Sequence, residues 1–370
     1  MRLFLLLLLA FAPLLHAQGV PDTTALFPAP LDGDRWGYID RTGATVLPAE
    51  YDAAYPFADS LARVLRRGRT YYIDREGTRI ETPRLESGQD FAQGVAVVVT
   101  DHYGKNVRRF LDAAGAFVHG ETRYSQALEY REALAPVRRL EDTIVPVLGP
   151  LCEIPFIRRN VCTKTIERPW IYVDQTGEPV IEHPMADSLS LDDLVFEHAT
   201  VFAEGRAAVA VREAFFRQVR WGFIDTSGTF VIEPQYQAAF PFAEGRARVV
   251  RSGRFGYVGA SGNEVVAPTY PDAGNFAGGR ARVRTEEGWG YIDREGSEAI
   301  PVAFEAAFDF SEGVAAVREQ GRWRFIDAEG AQAFDGQFDF ARSFRNGLAY
   351  VRDGDREGYV DRTGTFVWER

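Results

Sequence analysis

The chain has 370 residues, 46% of them hydrophobic, and carries 42 Lys and Arg against 53 Asp and Glu, which gives a formal net charge of −11. A nucleic-acid-binding protein needs a basic surface that displaces counterions from the phosphates. This acidic balance excludes that class, so we expect no nucleic-acid partner.

Residues 1–17 have the composition of a signal peptide. A positive charge at Arg2 precedes an apolar run over 3–15, and Ala17 is a small residue at the expected cleavage point. The run is too short to persist as a transmembrane anchor, and no cysteine stands nearby to take a lipid. We therefore predict a cleaved signal peptide, a linker over 18–24, and a periplasmic or secreted product with no stable membrane span.

From Ala25 onward the chain repeats a short pattern, which is clearest at Trp289–Gly296. Self-similarity at a fixed period is the signature of a repeat array. The apolar residue before the aspartate of the pattern recurs nine times, and the last five copies are 34 residues apart: Ile39, Ile73, Leu111, Val173, Ile224, Val258, Ile292, Ile326 and Val360. We predict nine units, irregular over 25–198 and regular over 199–370.

The irregular half carries two insertions. The first, over 139–169, replaces a tight turn and contains both cysteines, Cys152 and Cys162. In an exported chain, two cysteines so close together favour a disulfide that closes a small loop. Metal binding is the alternative, but a zinc site needs a second pair of ligands. The second insertion, over 183–198, has acids and spaced apolar residues after Ser188, which predicts a short helix.

The regular half shows how each unit is built. A Phe-x-x-Gly turn such as Phe242–Gly245 precedes an alternating run, a second turn leads to an aromatic-Gly-aromatic strand, and an Asp-x-x-Gly turn such as Asp293–Gly296 leads to a third strand. In Asp-x-x-Gly the aspartate bonds the backbone two residues on, and the glycine supplies a positive φ. We therefore predict units of three short antiparallel strands.

Three features recur together in this array: Trp-Gly-Tyr-Ile-Asp-x-x-Gly, Val-Ile-x-Pro-x-Tyr, and Phe-x-Glu-Gly-x-Ala-x-Val, at a period of 34 residues. In this combination, from about Ala25 to Glu369, they resemble the WG repeat, also called the KWG repeat, of bacterial proteins. The resemblance implies an all-β array whose repeat carries no catalytic residues. The repeat-defining residues are Trp36, Gly37, Asp40, Gly43, Trp170, Asp174, Trp221, Gly222, Asp225, Gly228, Trp289, Gly290, Asp293, Gly296, Trp323 and Asp327.

The size of the unit bears on how the units are arranged. A three-stranded unit cannot bury a core alone, so its neighbours must stack against it. A closed propeller usually has four to eight blades, each with four strands and about 40 or more residues. Nine three-stranded units of 34 residues favour an open array, a β-solenoid or superhelix, over a closed propeller.

One position in most units is aromatic and offers a candidate binding surface. Facing outward, these side chains would form a platform for sugar rings or a peptide; facing inward, they would be core. Large aromatic residues at a fixed position of a repeat usually pack in the core, and we expect this here. The position is occupied by Trp36, Tyr71, Trp170, Trp221, Phe255, Trp289 and Trp323.

No residue pattern indicates an enzyme. The turn aspartates could be read as calcium ligands or paired acids, but the turn explains each of them. Asp225–Gly228 resembles the Asp-Thr-Gly of aspartic proteases with its glycine one residue late. The histidines, expected at surfaces or in the insertions, share no face, and neither a nucleophile elbow nor a phosphate-binding loop occurs. Outside the predicted signal peptide they are His102, His119, His183 and His198. We expect no enzyme activity, no cofactor and no metal.

The sequence leaves two functional hypotheses. The first is a non-enzymatic scaffold at the cell envelope that presents an extended β surface to another protein. Its contact elements would be the loop around Cys152 and Cys162 and the segment over 187–198, since insertions in repeat proteins tend to project from one face. The alternative is a carbohydrate-binding module that holds cell-wall glycan on exposed aromatic residues.

Overall fold

The structure, a computed structural model, describes residues 24–144, 163–182, 196–212 and 219–370. Within these ranges the protein is all-β, as predicted, and contains no helix. No helix there is long and apolar enough to cross a membrane. The signal peptide over 1–17 and both cysteines, with their predicted disulfide, lie outside the described residues.

The strands of the described residues form eight separate sheets, and within each sheet a strand pairs antiparallel with its neighbours in the chain. The first thirteen strands are β1 Phe27–Asp32, β2 Arg35–Ile39, β3 Thr45–Tyr51, β4 Ala53–Ala58, β5 Leu61–Arg66, β6 Arg69–Ile73, β7 Ser87–Gly88, β8 Val95–His102, β9 Lys105–Asp112, β10 Arg123–Ala127, β11 Ala135–Ile144, β12 Thr163–Val173 and β13 Pro179–Ile181.

The other nineteen described strands begin at the end of the irregular half, with β14, and continue through the regular half. They are β14 Phe196–Ala199, β15 Arg206–Arg212, β16 Val219–Asp225, β17 Phe230–Tyr236, β18 Ala238–Ala243, β19 Arg246–Arg251, β20 Arg254–Gly259, β21 Glu264–Tyr270, β22 Asp272–Ala273, β23 Ala281–Arg284, β24 Trp289–Ile292, β25 Glu298–Phe304, β26 Ala306–Ala307, β27 Ala315–Glu319, β28 Arg322–Ile326, β29 Phe340–Ala341, β30 Ala349–Asp353, β31 Arg356–Val360 and β32 Phe366–Glu369.

Units are numbered here by their anchor residue, from Ile39 in unit 1 to Val360 in unit 9. Every anchor lies in a strand of its own. Units 3 and 4 share one seven-stranded sheet, because β9 and β10 pair at Arg108 and Tyr124. The other sheets have three or four strands each.

Four of the five regular units have four strands rather than the three we predicted, and unit 8 has three. In unit 6 the sheet order is β18-β19-β20-β21, and the additional strand is β18, between the Pro-x-Tyr segment and the Phe-x-x-Gly turn. This first strand is only two residues long in β22, β26 and β29. It escapes sequence analysis because it is short and its pairing with the second strand is interrupted by a bulge between Ala239 and Phe242.

The two insertions also differ from prediction. The outer parts of the first are paired strand, since β11 and β12 remain in register out to Ile144 opposite Thr163. In the second, the end of the predicted helix is strand β14, in which Phe196 is 1% exposed and pairs with Val211. Pairing with β15 and burial of Phe196 override the local helix signal there.

The core lies between neighbouring sheets. Tyr257 of unit 6 is fully buried with Val283 and Ile292 of unit 7, and its hydroxyl donates to the carbonyl of Gly274 at 2.6 Å. Burial raises the pKa of this hydroxyl well above its usual value. The same bond joins Tyr38 to Tyr55, Tyr72 to Gln89, Tyr172 to Thr200 and Tyr291 to Phe308. Stacking therefore supplies the core that one unit lacks.

A second contact repeats from unit to unit at the Asp-x-x-Gly turn. Its glycine packs against the last strand of the preceding unit, so that a Cβ built on Gly296 would lie 2.7 Å from Val266 Cγ2. At Gly43, in the first unit, the built Cβ would overlap the carbonyl oxygen of Val367, in the last unit. The turn of unit 1 therefore uses unit 9 as its preceding neighbour.

Other contacts also join the two ends of the array. The Tyr359 hydroxyl donates to Pro28 O at 2.9 Å, and Leu348 shares a core cluster with Phe27 and Ile39. No sheet is closed, since none continues from unit 9 into unit 1. The ends nevertheless pack together, whereas the open solenoid or superhelix that we favoured keeps them apart. The physical reason is that the contacts that stack successive units, made by the turn glycine and the buried tyrosine, also form between unit 9 and unit 1.

Candidate binding site

The aspartates of the Asp-x-x-Gly turns are bonded to their own turns. Asp225 Oδ1 accepts from the Ser227 and Thr229 amides at 2.9 and 3.1 Å and from the Ser227 hydroxyl at 2.6 Å. These bonds, that of the hydroxyl first, lower the pKa of the Asp225 carboxyl. Asp40, Asp74, Asp112, Asp174, Asp293, Asp327 and Asp361 accept from the same two backbone positions. Within the described ranges no acid or histidine cluster could hold a metal ion.

The aromatic series stands in the third strand of its units and is only partly core. Trp170 and Trp289 are buried, with 5% and 8% exposure. Trp36, Tyr71, Trp221, Phe255 and Trp323 are half-buried. The full core position is two residues further along, or one residue beyond Tyr71, which stands where other units have glycine. It is occupied by Tyr38, Tyr72, Phe110, Tyr172, Phe223, Tyr257, Tyr291 and Phe325.

Side chains of the first and second strands cover most of these half-buried rings. Trp323 stacks on Phe308 at 5.1 Å between centroids, and the Arg248 guanidinium lies 5.4 Å from the centroid of Phe255. Trp221 stacks on the exposed imidazole of His198, nearly parallel, at 6.0 Å. Trp221 is thus covered by a side chain that is itself open to solvent.

Trp221 and His198 line a cavity of about 630 Å³ that spans units 3 to 6. This volume is in the range of small-molecule sites. The aromatic wall includes Trp170. The polar wall is formed by Arg108 and by three exposed glutamines, Gln89, Gln126 and Gln237. Aromatic faces and amide groups together suit a ligand with apolar faces and polar edges, such as a sugar.

Trp170 adds a polar group without a protein partner. Its indole Nε1 is buried and makes no hydrogen bond within the described part of the chain. A buried donor left unsatisfied costs about 1–3 kcal/mol, so such groups call for an explanation.

The irregular segments attach to strands that carry cavity residues. Residues 145–162 connect β11 to β12, the strand of Trp170. Residues 183–195 lead into β14, the strand of His198, and residues 213–218 connect β15 to β16, the strand of Trp221. The segments that do not follow the repeat are therefore connected to strands of the units that form the cavity.

One histidine lies where we did not expect it. His119 is 8% exposed, with Nδ1 2.6 Å from the Tyr124 hydroxyl and Nε2 2.8 Å from that of Tyr130. Burial lowers the pKa of its imidazole. It packs against Gly177, the turn glycine of unit 4. His119 is therefore a core residue between two units, whereas His183 lies outside the described residues.

The chain resembles known proteins at the level of the repeat and of the fold. A family model described as "WG containing repeat" matches residues 36–69, 221–254, 255–288, 289–323 and 323–356. No curated protein matches the chain in sequence.

Among solved structures the chain is similar to a eukaryotic initiation factor, with 10% identity and a TM-score of 0.58 over 94% of this chain and 95% of that one. It also matches apo AztD from Citrobacter koseri, with 12% identity and a TM-score of 0.40 over 93% and 94%. The WD40 domain of SCAP from fission yeast matches with 8% identity and a TM-score of 0.35 over 94% and 95%. At these identities the similarity to the initiation factor concerns the fold alone.

Proposed function

Because the chain belongs to the WG-containing repeat family, we propose that it is an exported, non-enzymatic binding protein whose units form a ring and hold a protein partner at the cell envelope. The observation that carries this proposal is the attachment of both insertions, and of the shorter segment over 213–218, to strands bordering one cavity. A repeat array with one irregular region has one place that differs from the rest of its surface. That place is the contact region we assign to the partner.

The regular units support the proposal because the glutamates of their Phe-x-Glu-Gly turns already bind within the array. The glutamate of each Phe-x-Glu-Gly turn accepts from a glycine amide of the next unit. Glu204 Oε2 accepts from Gly245 N at 2.9 Å, and Glu312 Oε2 from Gly347 N at 3.0 Å. Carboxylates used in this way hold neighbouring units together, which leaves the irregular region for recognition.

Export is part of the same proposal. The composition of residues 1–17 supports cleavage after Ala17, and an oxidising compartment permits a disulfide between Cys152 and Cys162. N-terminal sequencing of the exported protein tests this point. A chain that begins at Gln18 supports the proposal, and a chain that retains residues 1–17 contradicts it.

Removing the segment over 145–162 is expected to abolish capture of the protein partner. Because Ile144 and Thr163 are directly paired, an Asn-Gly turn can join them as a two-residue hairpin without disturbing the strands. The measurement is affinity capture from an envelope extract, with the captured protein identified by mass spectrometry and its binding repeated with purified components.

The matched control is Gln320→Asn, which places the same Asn-Gly turn between the paired residues Glu319 and Arg322 of a regular unit. We expect this variant to capture the partner as well as the unaltered protein does. Equal capture by the variant that lacks 145–162 would show that the contact lies elsewhere.

Glycan binding is the second candidate function, and the cavity favours it specifically. Its aromatic wall and its three glutamine amides are the kinds of group that carbohydrate recognition uses. On this hypothesis the ligand is a fragment of cell-wall glycan. It stacks in the cavity rather than along the whole aromatic series.

Trp221→Ala is expected to weaken glycan binding about 10-fold, because it removes an aromatic face worth roughly 1 kcal/mol or more. Calorimetric titration with a panel of cell-wall glycan fragments measures the change. Trp323→Ala, which removes an aromatic residue of unit 8 that is stacked on Phe308 and does not line this cavity, should leave affinity unchanged. An equal loss in both variants, or no binding by the unaltered protein, contradicts the hypothesis.

A further inference from the structure

The first unit has three described strands where a regular unit has four. In β1, Phe27 pairs with Ile39, just as Ala247 in β19 pairs with Val258. Strand β1 is therefore the second strand of its unit, and its outer edge corresponds to the edge that pairs with a first strand elsewhere. Among the described residues, no strand pairs with that edge.

The contacts on either side of a first strand show what belongs at this edge. In unit 5, Thr200 N donates to Ala208 O at 2.9 Å, while the carbonyl of Thr200 accepts from the Tyr172 hydroxyl of unit 4 at 2.8 Å. Pro28 occupies the position of Ala208. The carbonyl of Pro28 accepts directly from the Tyr359 hydroxyl. In unit 1 no described first-strand residue stands between these two groups, as Thr200 does in unit 5.

A cavity of about 700 Å³ lies at the same junction. Phe27 and Pro28 line it from unit 1, Tyr55 from unit 2, and Phe344 and Tyr359 from unit 9. The lining combines aromatic rings with polar side chains. The edge of β1 offers carbonyl acceptors, because Pro28 and Pro30 have no N–H to donate. An extended segment with free amides and small apolar residues fits this site.

The length of chain before β1 matches such a segment. The full-length first strands are β4, Ala53–Ala58, and β18, Ala238–Ala243, and each ends four residues before the residue equivalent to Phe27. A six-residue strand that ends four residues before Phe27 would span residues 18–23. In this alignment Pro21 coincides with Pro56 and Pro241. Residue 18 is also the first residue after the proposed cleavage point.

We propose that residues 18–23, which lie outside the described residues, dock on the free edge of β1 as the first strand of unit 1. In this arrangement Val20 N donates to Pro28 O, and the Tyr359 hydroxyl moves from Pro28 O to Val20 O, as in the other units. The proposal rests on the proposed export in one respect, namely that cleavage after Ala17 makes Gln18 the first residue of this strand. The segment is then a structural part of the ring rather than a linker.

A cysteine pair tests the placement and its register. Gly19 and Ala29 correspond to Ala239 and Val249, which are directly opposite in unit 6, and opposed residues of this kind are close enough for a disulfide. The variant Gly19→Cys with Ala29→Cys is made in a chain that starts at Gln18 and carries Cys152→Ser and Cys162→Ser. We expect complete crosslinking on mild oxidation.

The control is Val20→Cys with Ala29→Cys, which puts one side chain on the opposite face of the strand and should not crosslink. Crosslinking of the control instead, or of neither pair, overturns the proposal. Because this chain is produced without residues 1–17, the result does not depend on export. Failure of export appears separately, in N-terminal sequencing.

A second measurement covers the case in which the cysteine variants fail to fold. A chain that starts at Thr24, and one in which residues 18–23 are replaced by glycine and serine, are both expected to unfold at least about 2 °C below the chain that starts at Gln18. Equal unfolding temperatures for all three chains overturn the proposal.

Discussion

Gly43→Ala is expected to lower the free energy of unfolding by about 3 kcal/mol or more. The residue has a φ of +86°, which an L side chain rarely adopts, and its added Cβ would overlap the carbonyl oxygen of Val367. This overlap can be relieved only if the turn is distorted or if unit 1 moves away from unit 9. Urea denaturation, followed by tryptophan fluorescence, measures the loss.

Gly33→Ala is the matched control, since Gly33 is in the same unit, has a φ of +54° and would place its Cβ in open space. Only backbone strain opposes the alanine there, so we expect the free energy of unfolding to fall by about 1 kcal/mol. If the contact between the first and last units did not exist, the two variants would be destabilised equally. The comparison therefore tests closure of the array in solution.

Tyr257→Ala is expected to cost about 3–5 kcal/mol, because it removes a fully buried ring from the core between units 6 and 7. The ring also packs edge-on against Phe276, with 4.9 Å between centroids. Thermal and urea unfolding give the change in stability. A cost below about 1 kcal/mol would contradict the assignment of this position to the core.

Tyr257→Phe removes the hydroxyl but keeps the aromatic ring, so it measures the contribution of the hydroxyl alone. The variant loses only the hydrogen bond to Gly274 O, worth about 1 kcal/mol. Phenylalanine already occupies the equivalent position at Phe110, Phe223 and Phe325, where it is fully buried. We therefore expect this variant to keep the fold of the repeat array. Its loss of unfolding free energy should be several-fold smaller than that of Tyr257→Ala.

The elements that could be predicted are those fixed by nearby residues. The aspartate and glycine of a turn such as Asp225–Gly228 interact within five residues, so their pattern is sufficient to identify the hairpin. The all-β class follows from the same local signals. By contrast, a first strand such as β22 has two residues, and its existence depends on pairing with a strand ahead of it.

Closure and the cavity depend on contacts that sequence spacing does not reveal. Gly43 and Val367 are 324 residues apart in the chain. The cavity glutamines, from Gln89 to Gln237, come from different units and follow no period that marks them. The aromatic series was identifiable, but its division into buried and half-buried members depends on which side chain of a neighbouring strand covers each ring.

The packing of Gly43 against Val367 has a consequence for how such a protein changes in evolution. In an open array a unit can be duplicated or lost at either end, because only one interface is affected. Where the last unit supports the first, a changed number of units alters the angle between every pair of neighbours. Growth is then confined to loops within a unit, and in this chain the two longest additions, over 139–169 and 183–198, interrupt units without altering their order.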